Sequence, residues 1–437
     1  MSFPGMLALI ERKKGGKPLD ASMIRGWITG VVNGDIPDYQ SAALLMAIRL
    51  VGMNFDETLC LTRAMADSGS RLTFHGYPIL LDKHSTGGVG DKVTLILAPM
   101  VAACNVPVTM LSGRGLGFSG GTIDKFEALE GVSCKVSGQV MQQMLDQVGW
   151  ANAQASSAVA PADRLLYALR DVTGTVDSIP LITASILAKK LSGGATHLCL
   201  DVKAGSSAFM QNLETAKQLA DHLKRIGEMG GVSIEGYVTR MEEPLGHAVG
   251  NYLELMESVA YLREQPDTPL MTLCLALGVR MLRQAGRAKS DEEARAMLSA
   301  RLTDGSALEK LLAYLRFAGA KEAAVQTLLQ KKYEDLACVT VPAPASGFVA
   351  EICGRTLGEC AVRLGAGRSK ADDVVDPEAG FLLAVHRGEE VAQGAPLLRV
   401  FGRRAGSMEA STLATLQSAF HLSEAPPSPV EMLLHRF

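Results

Sequence analysis

Lys83–Asp91 reads KHSTGGVGD. It lies between a short apolar run, Ile79 to Leu81, and a segment with a helical pattern. A glycine-rich loop in that position lets backbone N–H groups converge on an anion, and the start of the following helix adds its dipole. Lys83 brings a full positive charge, and Ser85 and Thr94 bring hydroxyl donors, a set suited to phosphate oxygens that all need partners. The pattern is neither GxxxxGK[ST] nor GxGxxG. It predicts a strand–loop–helix unit of an α/β protein with a small anion at its tip.

A second loop of this kind, Ser112 to Thr122 (SGRGLGFSGGT), follows the apolar run Pro107 to Leu111, and a third apolar run spans His197 to Val202. Short buried strands alternating with helices imply a mainly parallel sheet, whose loops share one rim and bind ligands there. Upstream, helical spacing covers Met6 to Lys13, Asp20 to Val32 and Asp38 to Leu50, and Asn54 with Glu57 reads as a capped start for a helix through Met65. The pattern turns helical again between Ala160 and Gly194, with starts at Pro161-Ala162-Asp163 and Asp177-Ser178-Ile179-Pro180. Beyond Tyr333, TVPAPASGFVAEI, GFLLAVHRGEEV and GAPLLRVFG read as antiparallel strands, with a helix near Ser411 to Leu422. The expected fold class is α/β, in three units. A discontinuous all-helical domain takes 1–70 and 160–194, an α/β phosphate-binding domain 71–159 and 195–333, and a C-terminal β-rich subdomain 334–437.

Composition narrows the function. The 437 residues are 47% hydrophobic and 20% charged, as in a folded multi-unit protein. A formal net charge of -3 with mixed signs gives no basic stripe for nucleic acid and no polybasic membrane anchor, so the anion is a small one. The eight cysteines contain no CxxC pair and read as reduced core thiols. Apolar runs such as Leu95 to Cys104 are about half the length a bilayer needs. The first residues lack a secretory pattern, so the cytoplasm is the expected compartment.

KHSTGGVGD, SGRGLGFSGGTIDKFE, PADRLLYALRDVTGTVDSIPLITASILAKK, DVKAGSSAFM, LGHAVGN and LGAGR together resemble the thymidine and pyrimidine-nucleoside phosphorylases. This family, the class II nucleoside phosphorylases, cleaves pyrimidine nucleosides with inorganic phosphate. The resemblance implies that phosphate is held by Lys83, Ser85, Thr94, Ser112 and Thr122. It implies that the base is held by His84, Arg170, Ser185 and Lys189 between apolar walls from Leu116, Tyr167, Val176 and Ile182. His84, Arg170 and Lys189 are the implied catalytic residues, with inorganic phosphate as co-substrate, no cofactor or metal, and a homodimer formed through the helical unit. Helical geometry agrees, because Tyr167 and Arg170 are three residues apart and Ile182, Ser185 and Lys189 fall on one helix face, which excludes Lys190. Breaking an N-glycosidic bond leaves negative charge on the base, where Arg170 and Lys189 can donate hydrogen bonds. His84, beside the phosphate lysine, can hold or move a proton.

The sequence also departs from the family pattern. Phe118 stands where a histidine is usual and Ser119 where a threonine is usual, and Ala155 and Gly174 replace polar or bulkier neighbours. Met110 matches the thymidine-selective branch and points to 2'-deoxynucleosides. Some relatives bind a cation near the loop, and Lys92 is expected to replace it with its own ammonium. Two rival readings are an anthranilate-type phosphoribosyltransferase, whose fold and STGG-like loop are similar, and a non-catalytic binding or carrier protein with biotinyl-like strands.

Overall fold

The computed structural model describes residues 3–115, 117–368 and 373–437. Its centre is a six-stranded sheet. Strands β1 (Leu81–Ser85), β2 (Val108–Ser112), β3 (Trp150–Gln154), β4 (His197–Ala204) and β5 (Ser233–Arg240) are parallel and lie in the order 5-4-1-2-3. The edge strand Leu433–Arg436 pairs antiparallel with β5. Strand order reverses between β1 and β4, the crevice where open α/β sheets bind ligands. The expected α/β class with a mainly parallel sheet holds.

Several elements sit elsewhere than the sequence suggested. The first strand is Leu81–Ser85, so Asp82, Lys83 and His84 are strand residues and the loop starts only after Ser85. The apolar residues Ile79 and Leu80 precede it. The second strand starts one residue later than expected and takes in Ser112. Leu433–Arg436 joins the main sheet, although it lies within the segment assigned to the C-terminal unit. Among the eight cysteines, all free, Cys338 is exposed rather than in the core.

The N-terminal helices Met6–Lys14, Ala21–Asn33, Asp38–Val51 and Phe55–Ala66 form where the apolar spacing placed them. The Asn54 side chain accepts from the Glu57 N–H at 2.8 Å and Glu57 accepts from the Asn54 N–H at 2.9 Å, a capping box. Such a cap contributes about 1 kcal/mol. Glu57 also holds the buried Lys13 ammonium at 2.7 Å. Leu166 of the Pro161–Thr173 helix and Leu181, Ala184 and Ala188 of the Ile179–Ser192 helix pack into one cluster with Leu9, Ile24, Trp27 and Leu45. On its other face the Ile179–Ser192 helix packs Ile186 and Leu187 against Leu198, Leu200 and Ile234 of the sheet. That helix is the seam between the bundle and the sheet.

The C-terminal region forms two antiparallel sheets. One contains Glu390–Val391, Gly347–Ile352 and Phe420–Ser423; the other contains Ala248–Val249, Gly380–Leu383, Pro396–Phe401 and Cys338–Pro342. Ala248–Val249 stitches this region to the chain that follows β5. No helix among the described residues is long and apolar enough to cross a membrane.

Candidate active site

A cavity of about 420 Å³ opens at the C-terminal ends of β1 and β2, facing the seam helix. That volume suits a ligand of nucleoside size. Its walls include Lys83, His84, Ser85, Thr94, Ser112 and Thr122 from the sheet side. Tyr167, Arg170, Val176, Ile182, Ser185 and Lys189 come from the helical side. Every site residue expected from the sequence lies here except Leu116, which falls outside the described residues.

The sheet side is a cradle of donors. Gly87, at φ 90°, and Gly90, at φ 73°, take backbone conformations that side chains rarely adopt. The Ser85 hydroxyl donates to Asp91 Oδ2 at 2.5 Å and accepts from the Gly87 N–H at 3.1 Å. Ser112 donates to Asn152 Oδ1 at 2.5 Å. Each hydroxyl can turn its hydrogen towards an anion in the cavity. The second loop folds tightly on itself, since a Cβ on Gly121 would meet the backbone of Arg114 and Gly115 at 2.2 Å. Lys125 ties the two loops together by donating to the Asp91 carbonyl at 2.8 Å and the Gly120 carbonyl at 3.3 Å, and it pairs with Glu254 at 3.1 Å. Burial opposes ionisation of Asp91, yet Lys83, Lys203, Lys125 and the Ser85 hydroxyl outweigh it and hold this carboxyl far below the usual range.

On the helical side, Arg170 is buried and gives its guanidinium to three carbonyls: Thr175 at 3.2 Å, Leu181 at 3.2 Å and Val176 at 2.6 Å. It therefore also fixes the loop between the two helices that line the cavity. Lys189 donates to Asp163 Oδ2 at 2.5 Å and to the Ser185 hydroxyl at 3.0 Å. An ammonium has three hydrogens, so one remains for a ligand. In the sequence the buried Asp163 shows only as part of a helix start, because its partner Lys189 is 26 positions away.

His84 sits where the two sides meet. Burial, then the ammonium groups of Lys190, Lys189 and Lys83, push its pKa well below the ordinary 6.5, so the imidazole is neutral. Lys190, which the helix-face argument set aside, crosses the seam to Asp82 Oδ2 at 2.9 Å and the Leu111 carbonyl at 3.3 Å. It anchors the base-side helix to β1 and β2.

Two departures acquire a structural meaning. Phe118 lies under the Arg355 guanidinium, 4.2 Å from its ring centre, and 5.8 Å from the ring of Phe209. Phe209 lines the cavity and was not expected there. The Lys92 ammonium is wholly buried against the carbonyls of Leu245 and Ala248, the latter at 3.0 Å, and Glu257 Oε2 at 3.0 Å. Met110 belongs to the apolar core and is not among the residues lining the cavity.

Known proteins resemble the chain along most of its length. Residues 77–308 match the family described as glycosyl transferase family, a/b domain, and residues 7–69 match its helical bundle domain. Residues 348–422 match the pyrimidine nucleoside phosphorylase C-terminal domain. The pyrimidine-nucleoside phosphorylases of Staphylococcus aureus strains MSSA476 and USA300 are each 42% identical over 403 residues, covering 91% of this chain and 92% of theirs. Among solved structures, anthranilate phosphoribosyltransferase from Thermus thermophilus aligns with a TM-score of 0.56 and 21% identity, over 71% of this chain and 99% of that one. At that identity the likeness is one of fold.

Proposed function

The chain belongs to the pyrimidine-nucleoside phosphorylases, pentosyltransferases of the glycosyl transferase family, and from that premise we propose how its cavity works and which nucleosides it prefers. The observation that carries the reading is the meeting of a phosphate-type cradle and a base-type cluster in one cavity, with His84 between them. Phosphate is held by Lys83, Ser85, Thr94, Ser112 and Thr122. The pyrimidine lies against Tyr167, Val176 and Ile182, with its ring oxygens towards Arg170, Ser185 and Lys189. As the glycosidic bond breaks, Arg170 and Lys189 stabilise the charge that develops on the base, and phosphate attacks the sugar carbon. Neutral His84 donates a hydrogen bond to the departing base from its one ring N–H. The two halves stand on different units, 1–70 with 160–194 and 71–159 with 195–333, so turnover includes their closure. No cofactor takes part; inorganic phosphate is the co-substrate.

The substrates are the 2'-deoxynucleosides thymidine and deoxyuridine, ahead of uridine. Phe209 and Met210 give this cavity apolar walls. A 2'-hydroxyl enclosed there without a partner is costly, although an apolar wall rejects one added hydroxyl only ~10- to 100-fold. Initial rates with thymidine, deoxyuridine and uridine at fixed phosphate test this. Both deoxynucleosides are expected to exceed uridine in kcat/KM by that factor, and equal values would remove the assignment.

Lys92 occupies a cage of three oxygens that would suit a monovalent cation, and its ammonium supplies that charge itself. Added potassium is therefore expected to leave the wild-type rate unchanged, whereas Lys92→Thr loses activity that potassium restores. A wild-type enzyme activated severalfold by potassium would contradict this.

The protein works as a cytoplasmic homodimer. Tyr39, Ala43, Met46 and Leu50 are exposed on one face of the Asp38–Val51 helix, spaced i, i+4, i+7, i+11, and Leu165 and Val172 are exposed on the neighbouring Pro161–Thr173 helix. Such an apolar stripe suits a second copy of the chain. Leu50→Glu is expected to halve the mass seen by light scattering; an unchanged dimer would place the contact elsewhere.

A further inference from the structure

Lys83 has a rival for its charge. Asp201, inside β4, lies opposite Ser85 in the parallel register and is fully buried. Its Oδ1 accepts from the Thr239 hydroxyl at 2.6 Å, and its Oδ2 accepts from the Lys203 ammonium at 2.6 Å. The Lys83 ammonium stands 3.8 Å from that same Oδ2, too far for a hydrogen bond. Among the described residues Lys83 makes no side-chain hydrogen bond, yet it lines the cavity. Lys203 is wholly buried and does not line the cavity.

We infer that Lys203 is a positioning residue for phosphate: by donating to Asp201 Oδ2 itself it holds the neighbouring Lys83 ammonium in a longer ion pair, out of hydrogen-bond range of that carboxylate, and leaves its hydrogens for the incoming anion. A buried carboxylate takes the nearest cation, because an unpaired charge in the interior is costly. Remove Lys203, and a side-chain movement of about 1 Å brings Lys83 into hydrogen-bond range of Asp201. Phosphate would then have to break a buried, hydrogen-bonded ion pair before binding. The geometry around Lys203 fits this part. Its backbone N–H donates to the Thr86 hydroxyl at 2.8 Å, so one residue holds both the phosphate loop and the competing carboxylate. Burial opposes the charge on Lys203, but Asp201 and Asp91 outweigh it and keep its pKa raised, so it stays protonated.

This inference rests on Lys83 binding phosphate, and the test separates the two. Lys203→Met is expected to raise the KM for phosphate about a hundredfold while kcat at saturating phosphate changes only severalfold. The double variant Lys203→Met/Asp201→Asn removes the competitor with the neutraliser, and its phosphate KM is expected to return to within severalfold of wild type. A purely structural role for Lys203 would show as lost stability that the double variant also recovers, with the phosphate KM of the folded single variant unchanged. An unchanged phosphate KM in Lys203→Met, or a double variant no better than the single one, overturns the inference. If Lys203→Met does not fold, Asp201→Asn carries the test: its phosphate KM is expected at or below the wild-type value, and a tenfold rise overturns the inference. If Lys83→Ala itself leaves phosphate KM unchanged, the phosphate site falls instead.

Discussion

Lys83→Ala is expected to lower kcat/KM for phosphate by about a thousandfold, the scale seen when a charged or oriented donor leaves a water-excluded site. The fold should survive the change. Asp201 keeps Lys203 at 2.6 Å and Thr239 at 2.6 Å, so the loss of Lys83 leaves no buried carboxylate without a partner. Circular dichroism and the thermal midpoint should stay near wild type while the phosphate dependence collapses. Phosphorolysis at the wild-type rate would take the loop out of the mechanism.

The base side should show a comparable effect with a different side cost. Lys189→Ala and Arg170→Ala are each expected to lower kcat/KM for the nucleoside by about 10²- to 10³-fold, as for loss of a donor to developing negative charge. Their stabilities should diverge. Arg170→Ala leaves the carbonyls of Thr175, Val176 and Leu181 without their donor, at about 1–3 kcal/mol for each that water cannot reach. Lys189→Ala strands the Asp163 carboxylate, and Lys189→Met/Asp163→Asn should recover that stability without recovering turnover. Steady-state kinetics with thermal melts read both quantities, and a wild-type-like Lys189→Ala enzyme would reassign the base site.

The sequence revealed chemistry better than geometry. The residue types in KHSTGGVGD and SGRGLGFSGGT point to an anion at a strand end, because few other uses join glycines, a lysine and hydroxyls there. It hid where β1 begins, because a buried parallel strand normally reads as an apolar run. Here the strand carries Asp82, Lys83 and His84 instead, and Ile79 and Leu80 imitate its start. Strands β3 (WANAQ) and β5 (SIEGYVTR) were missed for the same reason. The helical bundle was legible through its caps and its 3.6-residue spacing, neither of which needs distant partners.

Buried charge was the least legible feature. Lys92 meets Glu257, Lys190 meets Asp82 and Lys189 meets Asp163, pairs whose members are far apart in sequence. A lone lysine in a sequence reads as a solvated cation until the fold supplies its carboxylate. Helical spacing puts Ser185 and Lys189 on one face, and in the structure they hydrogen-bond to each other. Lys190 lies off that face, and nothing in the sequence says that the other side of the helix meets a sheet.

The most direct test of the shared cavity is the release of thymine from thymidine as inorganic phosphate is varied, with the sugar product identified. The expected result is release that saturates with phosphate and yields one 2-deoxyribose 1-phosphate per thymine. Release that does not depend on phosphate, or free deoxyribose as the product, would contradict a site in which phosphate and base are held side by side.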